Sequence, residues 1–296
     1  MSGPVETSHA YVSVIVPAYN AARTIAECLD SILAVRYPSE NFELIVVDNA
    51  STDQTGAILR SYDQKIKTFQ ELKRGPAAAR NKGLQNASGK IIAFTDADCV
   101  VEKDWLQNLI VPLEDSSIGA VGGRILSKQP RNPIEKFGEE IHDHSKAIEI
   151  YRPPYVITMN WASRLPLLKE LNFFDEDLLR CEDVDLSYRI FQNGFRFSFR
   201  PDAIVYHRNE NNYLGLSHEG FLHGYYSIPV LKRHESFLKQ FGHRRWNNRT
   251  YVDIAHNLVD SITGKERDHS LCSFVFNSAK KIGKLFGSIR FAHVDL

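Results

Sequence analysis

The sequence has no apolar run of the roughly 18 residues that a membrane-spanning helix needs, and Met1 to Ala10 lacks the apolar core of a secretory signal. Any membrane contact is therefore expected to be peripheral. Net charge is missing too: 36 Lys and Arg balance 36 Asp and Glu, which leaves no overall field to attract nucleic acid. Cysteine is scarce. The four present, Cys28, Cys99, Cys181 and Cys272, make no C-x-x-C pair and no disulfide framework, so a reducing cytosol fits best. No internal repeat or low-complexity tract occurs. Glycine is absent from Pro17 to Thr24, the stretch after the first apolar run where nucleotidyltransferases and nicotinamide dehydrogenases carry phosphate-binding glycines.

What is present suits a globular enzyme: 296 residues, 43% of them hydrophobic, can bury one sizeable core or a core with an appendage. The first half alternates apolar runs with amphipathic stretches, the pattern of parallel strands joined by helical crossovers. Val12 to Val16 reads as a strand buried on both faces and stopped by Pro17. Thr24 and Glu27 have the spacing of a capping box, and Ile25, Cys28, Leu29 and Ile32 then recur at helical spacing. Leu44 to Val47, Ile66 to Phe69 and Ile91 to Phe94 read as further strands, with helices after Ser51 to Asp53, which supply caps, and after Gly75 and Pro76. Beyond Val100 the pattern loosens into an expected acceptor half, with one long helix from Pro133 to Ile150 and a turn at Pro153 and Pro154. From Asn209 the chain turns helical and aromatic. The expected organisation is a tail over residues 1–10, a catalytic domain over 11–208 split near 99, and a helical extension over 209–296.

Ligands of open α/β sheets bind beyond the carboxyl ends of the strands, and Asn20, Asp48, Asp96 and Asp98 all fall there. Asp96 and Asp98, two apart in extended chain, can converge on one hard cation such as Mg²⁺ or Mn²⁺, which grips a diphosphate; a helix cap and a solvated acid satisfy the same spacing. Glu182 and Asp183 open a helix, where acids complement the macrodipole, and Asp183 is the candidate for a general base. His207 ends the strand Ala203 to Tyr206, either as a structural group or as a neutral metal ligand.

These segments, taken in order, resemble glycosyltransferase family 2. The resemblance is carried by Val14-Ile15-Val16-Pro17-Ala18-Tyr19-Asn20, Val46-Val47-Asp48-Asn49-Ala50-Ser51-Thr52-Asp53 and Gly75-Pro76-Ala77-Ala78-Ala79-Arg80-Asn81-Lys82-Gly83. It continues through Asp96-Ala97-Asp98, Cys181-Glu182-Asp183-Val184-Asp185-Leu186 and Pro201 to His207, and covers about two-thirds of the chain. It implies a GT-A fold, a Rossmann-like mixed sheet flanked by helices, and transfer of a sugar from a nucleotide donor, UDP being the commonest, usually with inversion. It further implies that Pro17, Ala18, Tyr19, Asn20 and Asp48 line the nucleoside pocket with Arg80 nearby. Asp96 would face the ribose, Asp98 would bind Mn²⁺ or Mg²⁺ with His207 as a further ligand, and Asp183, beside Glu182, would be the base. The implied acceptor is a glycan or a lipid-linked hydroxyl.

Thr158-Met159-Asn160-Trp161 departs from the family's Gly-Asn at that place, and Trp161 reads as core more readily than as a sugar platform. His218, His223, Tyr225 and Tyr226 are candidates for the border of the acceptor channel. In the tail, Phe274, Val275, Ala279, Ile282, Leu285, Phe286 and Ile289 recur at helical spacing beside Lys280, Lys281, Lys284 and Arg290. A helix packed through that apolar face is favoured over an interfacial helix on anionic lipid. Two other functions remain beside sugar transfer: a sugar nucleotidyltransferase, and a sugar-binding or assembly protein derived from a transferase.

Overall fold

The computed structural model describes residues 10–245, 248–264 and 266–295, so nearly all of the expected N-terminal tail lies outside the described residues. Val12–Ala18 forms β1, followed by Ile25–Leu33 (α1), Phe42–Asp48 (β2), Thr55–Arg60 (α2), Lys67–Gln70 (β3), Pro76–Gln85 (α3) and Ile91–Phe94 (β4). β2, β1 and β4 run parallel, with β3 as the outer parallel strand. The two-residue period of a strand divides the apolar run of β1 between two layers. Val12, Val14, Val16 and Ala18 face a core with Ile25, Leu29 and Ile32 of α1, whereas Ile15 faces a second core with Ala77, Ala79 and Leu84 of α3. Gly83 makes that second contact possible, because a Cβ there would stand 2.5 Å from the Ile15 side chain.

The second half completes an eight-stranded sheet in the order β3-β2-β1-β4-β7-β6-β8-β5. Cys99–Val101 is β5, Trp105–Ile110 is α4, Ile118–Ser127 is β6 and Pro133–Ile141 is α5. Trp161–Arg164 is β7, Leu165–Glu170 is α6, Glu182–Gln192 is α7 and Arg196–His207 is β8. β7 runs antiparallel to both β4 and β6, which reverses the direction of the sheet next to β4. β8 lies parallel to β6 and antiparallel to β5, in a register that sets Cys99 opposite His207. Trp161 is fully buried edge-on to Phe94 and Phe174, so it belongs to the core.

Four helices follow among the described residues: Tyr213–Arg233 (α8), Glu235–Lys239 (α9), Asn248–Thr263 (α10) and Arg267–Arg290 (α11). No helix among the described residues is long and apolar enough to cross a membrane.

Three local expectations fail for identifiable reasons. Thr24 does precede α1, but its side chain caps no amide; its hydroxyl instead donates to the Ala21 carbonyl, and Glu27 turns outward to pair with Lys128 and Arg208. The expected helix from Pro133 to Ile150 stops at Ile141 and resumes as a π turn over Lys146–Ile150, because Asp143 takes the Lys146 amide and begins a new turn there. The tail helix packs through a face that keeps Ala279 and the partly buried Val275 of the expected one but not its large side chains further on. Its buried positions include Ser270, Cys272, Ala279, Gly283, Gly287 and Ser288, while Ile282, Leu285, Phe286 and Ile289 are exposed.

Candidate active site

The loops after β1 and β2 are laced together. The Asn20 side-chain oxygen accepts from the Thr52 amide at 2.8 Å, Ser51 accepts from the Asn20 amide at 3.0 Å, and Asp48 accepts from the Ser51 amide at 3.0 Å. Asn20 and Ala50 hold left-handed backbone, at φ 48° and 57°, a conformation that costs a non-glycine residue about 1 kcal/mol or more and collects at functional loops. Ala18 turns its methyl into the core, so only its backbone belongs to this loop, whereas Tyr19 leaves its ring 48% exposed, with Arg74 5.3 Å from the ring centre.

The remaining candidates meet in a cavity of about 1160 Å³. Pro76, Arg80, Asp96, Asp98, Met159, Glu182, Asp183 and His207 are among its lining residues, whereas Pro17 to Asn20 and Asp48 are not. Arg80, on α3, is buried and forks between two carboxylates, donating through Nη2 to Asp96 at 2.7 Å and through Nη1 to Glu182 at 2.6 Å. The fork fixes the second strand-end acid and the start of α7 to one another. Cys181, just before that helix, also has left-handed backbone at φ 61°.

Asp183 follows on the first turn of α7, half-buried at the cavity. One of its oxygens accepts from the Val184 amide at 2.8 Å and the other lies 3.4 Å from the Thr158 amide. Burial raises the Glu182 and Asp183 carboxyls, and the Arg80 guanidinium offsets part of that. A carboxyl raised toward neutrality beside an open cavity suits proton transfer. Glu182 is committed to Arg80, which leaves Asp183 facing the opening.

Asp98 and His207 come together through the β5–β8 register, with Asp98 Oδ2 3.4 Å from His207 Nε2. Burial disfavours a charged imidazole, but the Asp98 carboxylate overrides it and lifts His207 to about 9. Without a metal the two form an ion pair, and a carboxylate and an imidazole are ligand types that suit a divalent metal once the Nε2 proton is displaced. His207 Nδ1 lies 2.7 Å from Asn209 Oδ1, whose orientation is set because Asn209 Nδ2 donates to Ser127 and to the Glu135 carbonyl. That bond keeps a proton on Nδ1, so the Nε2 proton, which faces Asp98 in the ion pair, is the one a metal would displace to gain a ligating lone pair. Asp96, Glu182 and Asp183 also line the cavity, so it offers the oxygen ligands a hard cation prefers.

Sequence reading overlooked the supports. Asn209, two residues past the His207 motif, orients the imidazole. His144 is buried and spans two segments, with Nδ1 2.6 Å from the Gly123 carbonyl and Nε2 accepting from the Ile157 amide at 2.6 Å. Asp185, fully buried, binds Arg189, Arg233 and His234, and ties α7 to the end of α8. Their longer-range bonds leave no periodic signal: Asn209 reaches Ser127, His144 reaches Gly123 and Ile157, and Asp185 reaches Arg233 and His234. Of the four candidates on α8, His218 and His223 line the cavity; Tyr225 and Tyr226 pack edge to face outside its lining.

Comparison with known proteins agrees with this architecture. The family model described as "Glycosyl transferase family 2" matches residues 13–180. Glycosyltransferase AglE of Haloferax volcanii is 30% identical over 203 residues, which cover 67% of this chain and 66% of that one. A pre-mycofactocin glycosyltransferase of Mycobacterium tuberculosis is 28% identical over 79% of this chain and 49% of its own length. This chain thus spans about half to two-thirds of these curated relatives. Among solved structures, the mannosyltransferase PcManGT of Pyrobaculum calidifontis, in complex with GDP-Man and Mn²⁺, superposes with a TM-score of 0.62 at 25% identity, covering 98% of this chain and 76% of that one. S. aureus TarS, solved with UDP, gives 0.55 at 21% identity over 95% of this chain and 92% of that one. The eight-stranded mixed sheet flanked by helices is a GT-A fold, and the chain belongs to glycosyl transferase family 2.

Proposed function

We propose that the protein transfers a glycosyl group from a nucleoside diphosphate sugar to an acceptor hydroxyl, with inversion and with Asp183 as the base. The observation that carries this reading is the convergence of Asp183, the Arg80 fork and the Asp98–His207 pair on one cavity. In the reaction, Asp183 takes the acceptor proton as the acceptor oxygen bonds to the anomeric carbon, and the bond from that carbon to the diphosphate oxygen breaks. Arg80 holds Asp96 toward the ribose, and the exposed Tyr19 ring offers a stacking face for the base, with Asp48 as its hydrogen-bond partner. Asp98 and His207 would hold Mn²⁺ or Mg²⁺, which when bound neutralises charge on the diphosphate. UDP-sugar is the proposed donor on family resemblance, and GDP-mannose, which the Pyrobaculum protein binds, is the competitor to test against it.

The acceptor we infer to be lipid-linked and approached at a membrane surface through the exposed apolar faces of α10 and α11. On this reading residues 209–296 are a helical extension that contributes His218, His223 and Lys280 to the acceptor side of the cavity. A nucleotidyltransferase is disfavoured by the loop after β1, which has no glycine to cradle a phosphate. A non-catalytic sugar-binding protein has no need of the raised Asp183 carboxyl.

Asp183→Asn separates these readings. Turnover is expected to fall about 10²- to 10⁴-fold, the usual contribution of a general base. Donor-induced thermal stabilisation with Mn²⁺ should persist in the same variant, because ligand binding to the native state alone raises stability. Unchanged turnover would remove Asp183 from the mechanism.

A further inference from the structure

A second set of ligand-type side chains faces the same cavity, apart from Asp98 and His207. His142 caps the C-terminus of α5, and Glu219 and His223 stand one turn apart on α8. One ligand atom from each of the three lies within 4.8 Å of the other two. His142 Nε2 is 3.5 Å, and His223 Nε2 3.8 Å, from the same Glu219 oxygen. Those separations are too long for good hydrogen bonds, yet close to the roughly 3.4 Å between ligands that each sit about 2.1 Å from a tetrahedral ion. His142 is only 5% exposed, and its Nδ1 has no hydrogen-bond partner among the described residues. The ring also lies edge-on to His207, with centroids 5.3 Å apart, which puts this cluster beside the Asp98–His207 pair without sharing a ligand with it.

We propose that His142, Glu219 and His223 bind a divalent ion of the zinc class, with a fourth coordination position open to the cavity. Two imidazoles and one carboxylate suit zinc better than magnesium, whose preferred ligands are all oxygen. Glu219 and His223, at i and i+4, present their donors on one helix face, so a small inward shift of His142 completes the set. The ion would fasten α5 to α8 and so fix the wall of the cavity contributed by the C-terminal helices.

Zinc alone serves as the probe, added to chelator-treated full-length protein and followed by equilibrium dialysis. The wild type and Asp98→Ala are both expected to take up the ion, while Glu219→Gln and His223→Gln lose affinity at least tenfold. Circular dichroism checks that each variant is folded. Independently of any variant, anomalous scattering at the zinc edge from crystals of the wild type should place the ion between the three side chains. Full uptake by both Glu219→Gln and His223→Gln, or uptake abolished by Asp98→Ala alone, overturns the proposal, as does an anomalous peak confined to Asp98 and His207. Retention in Asp98→Ala with loss in His223→Gln supports it whatever the fate of the Asp98 site.

Discussion

His144 has a tautomer dictated by its neighbours: Nδ1 donates to the Gly123 carbonyl and Nε2 accepts from the Ile157 amide. Burial disfavours the charged ring and brings the group from 6.5 down to about 4, and a second proton would also set two N–H groups against each other at Nε2. Between those values the unfolded chain takes up a proton that the native chain refuses. Stability should therefore be fully present above pH 6.5, decline as pH falls toward 4, and change no further on this account below that. The full span corresponds to about 3 kcal/mol, and His144→Gln should flatten this part of a denaturant-midpoint profile against pH. A variant profile parallel to the wild type's would refute the assignment. Arg80 invites a different test. Arg80→Ala strands two carboxylates and should destabilise the fold by about 3–5 kcal/mol, whereas Arg80→Lys keeps the charge without the fork. The lysine variant is expected to retain most of the stability in a thermal melt yet lose donor affinity by about tenfold, because a single ammonium cannot hold both Asp96 and Glu182 in register.

Among the elements, α8 and α11 depend most on small residues. Gly220 and Gly224 on one helix, and Gly283 and Gly287 on the other, sit against backbone: a Cβ at Gly220 would stand 2.5 Å from the Phe276 carbonyl oxygen, and one at Gly287 2.5 Å from that of Tyr225. Gly224 meets Lys280 and Gly283 meets Phe221 still more closely. The helices approach through backbone contact, with glycine four residues apart on each. Gly224→Val or Gly283→Val must push them apart, and overpacking of this kind costs about 1–3 kcal/mol or more, visible as a lower melting temperature. Gly242→Ala, where nothing lies within 4 Å of the added carbon, makes the control for crowding, although its φ of 79° adds backbone strain of its own. The apolar periodicity of Phe274 to Ile289 correctly announces a helix here, but not which face it buries. Large side chains suggested the packed face, whereas close helix approach selected the glycines.

Across the whole molecule, the C-terminal helices leave large apolar side chains exposed among the described residues. Ile262 is 76% exposed and Ile289 74%, and Val252, Val259, Ile282 and Phe286 are each more than half exposed. Lys281 and the exposed Arg290 stand on the same helix as Ile282 and Ile289, whereas Lys284 is paired with Asp295. A surface that combines apolar side chains with cations suits an anionic lipid interface. Sedimentation with vesicles containing anionic lipid should recover the protein, less so as salt rises, and Ile289→Glu with Ile262→Glu should abolish recovery while leaving donor binding intact. Recovery unaffected by both substitutions would take the membrane role away from these helices.

The sequence by itself determined what short range controls. Strands, crossovers and their ends follow from periods of 2 and 3.6 residues, so β1, β2, β4, α3 and the start of α7 were legible, and with them the strand-end positions of Asp48, Asp96 and Asp98. Trp161 as core was legible from the size of its aromatic side chain, which is more readily buried than left as a sugar platform. Tertiary structure decided which of these residues meet. Arg80 reaches Glu182 across 102 positions because α3 and α7 share one face of the sheet, and Asp98 reaches His207 because β5 pairs antiparallel with β8 at the sheet edge, in a register that sets Cys99 opposite His207. A strand pairs with its neighbour through backbone groups that every residue carries, so neither strand order nor register is written in the side chains of either strand alone. The same holds for the two helices of the C-terminal segment, whose packed faces became known only once their backbones were seen to touch.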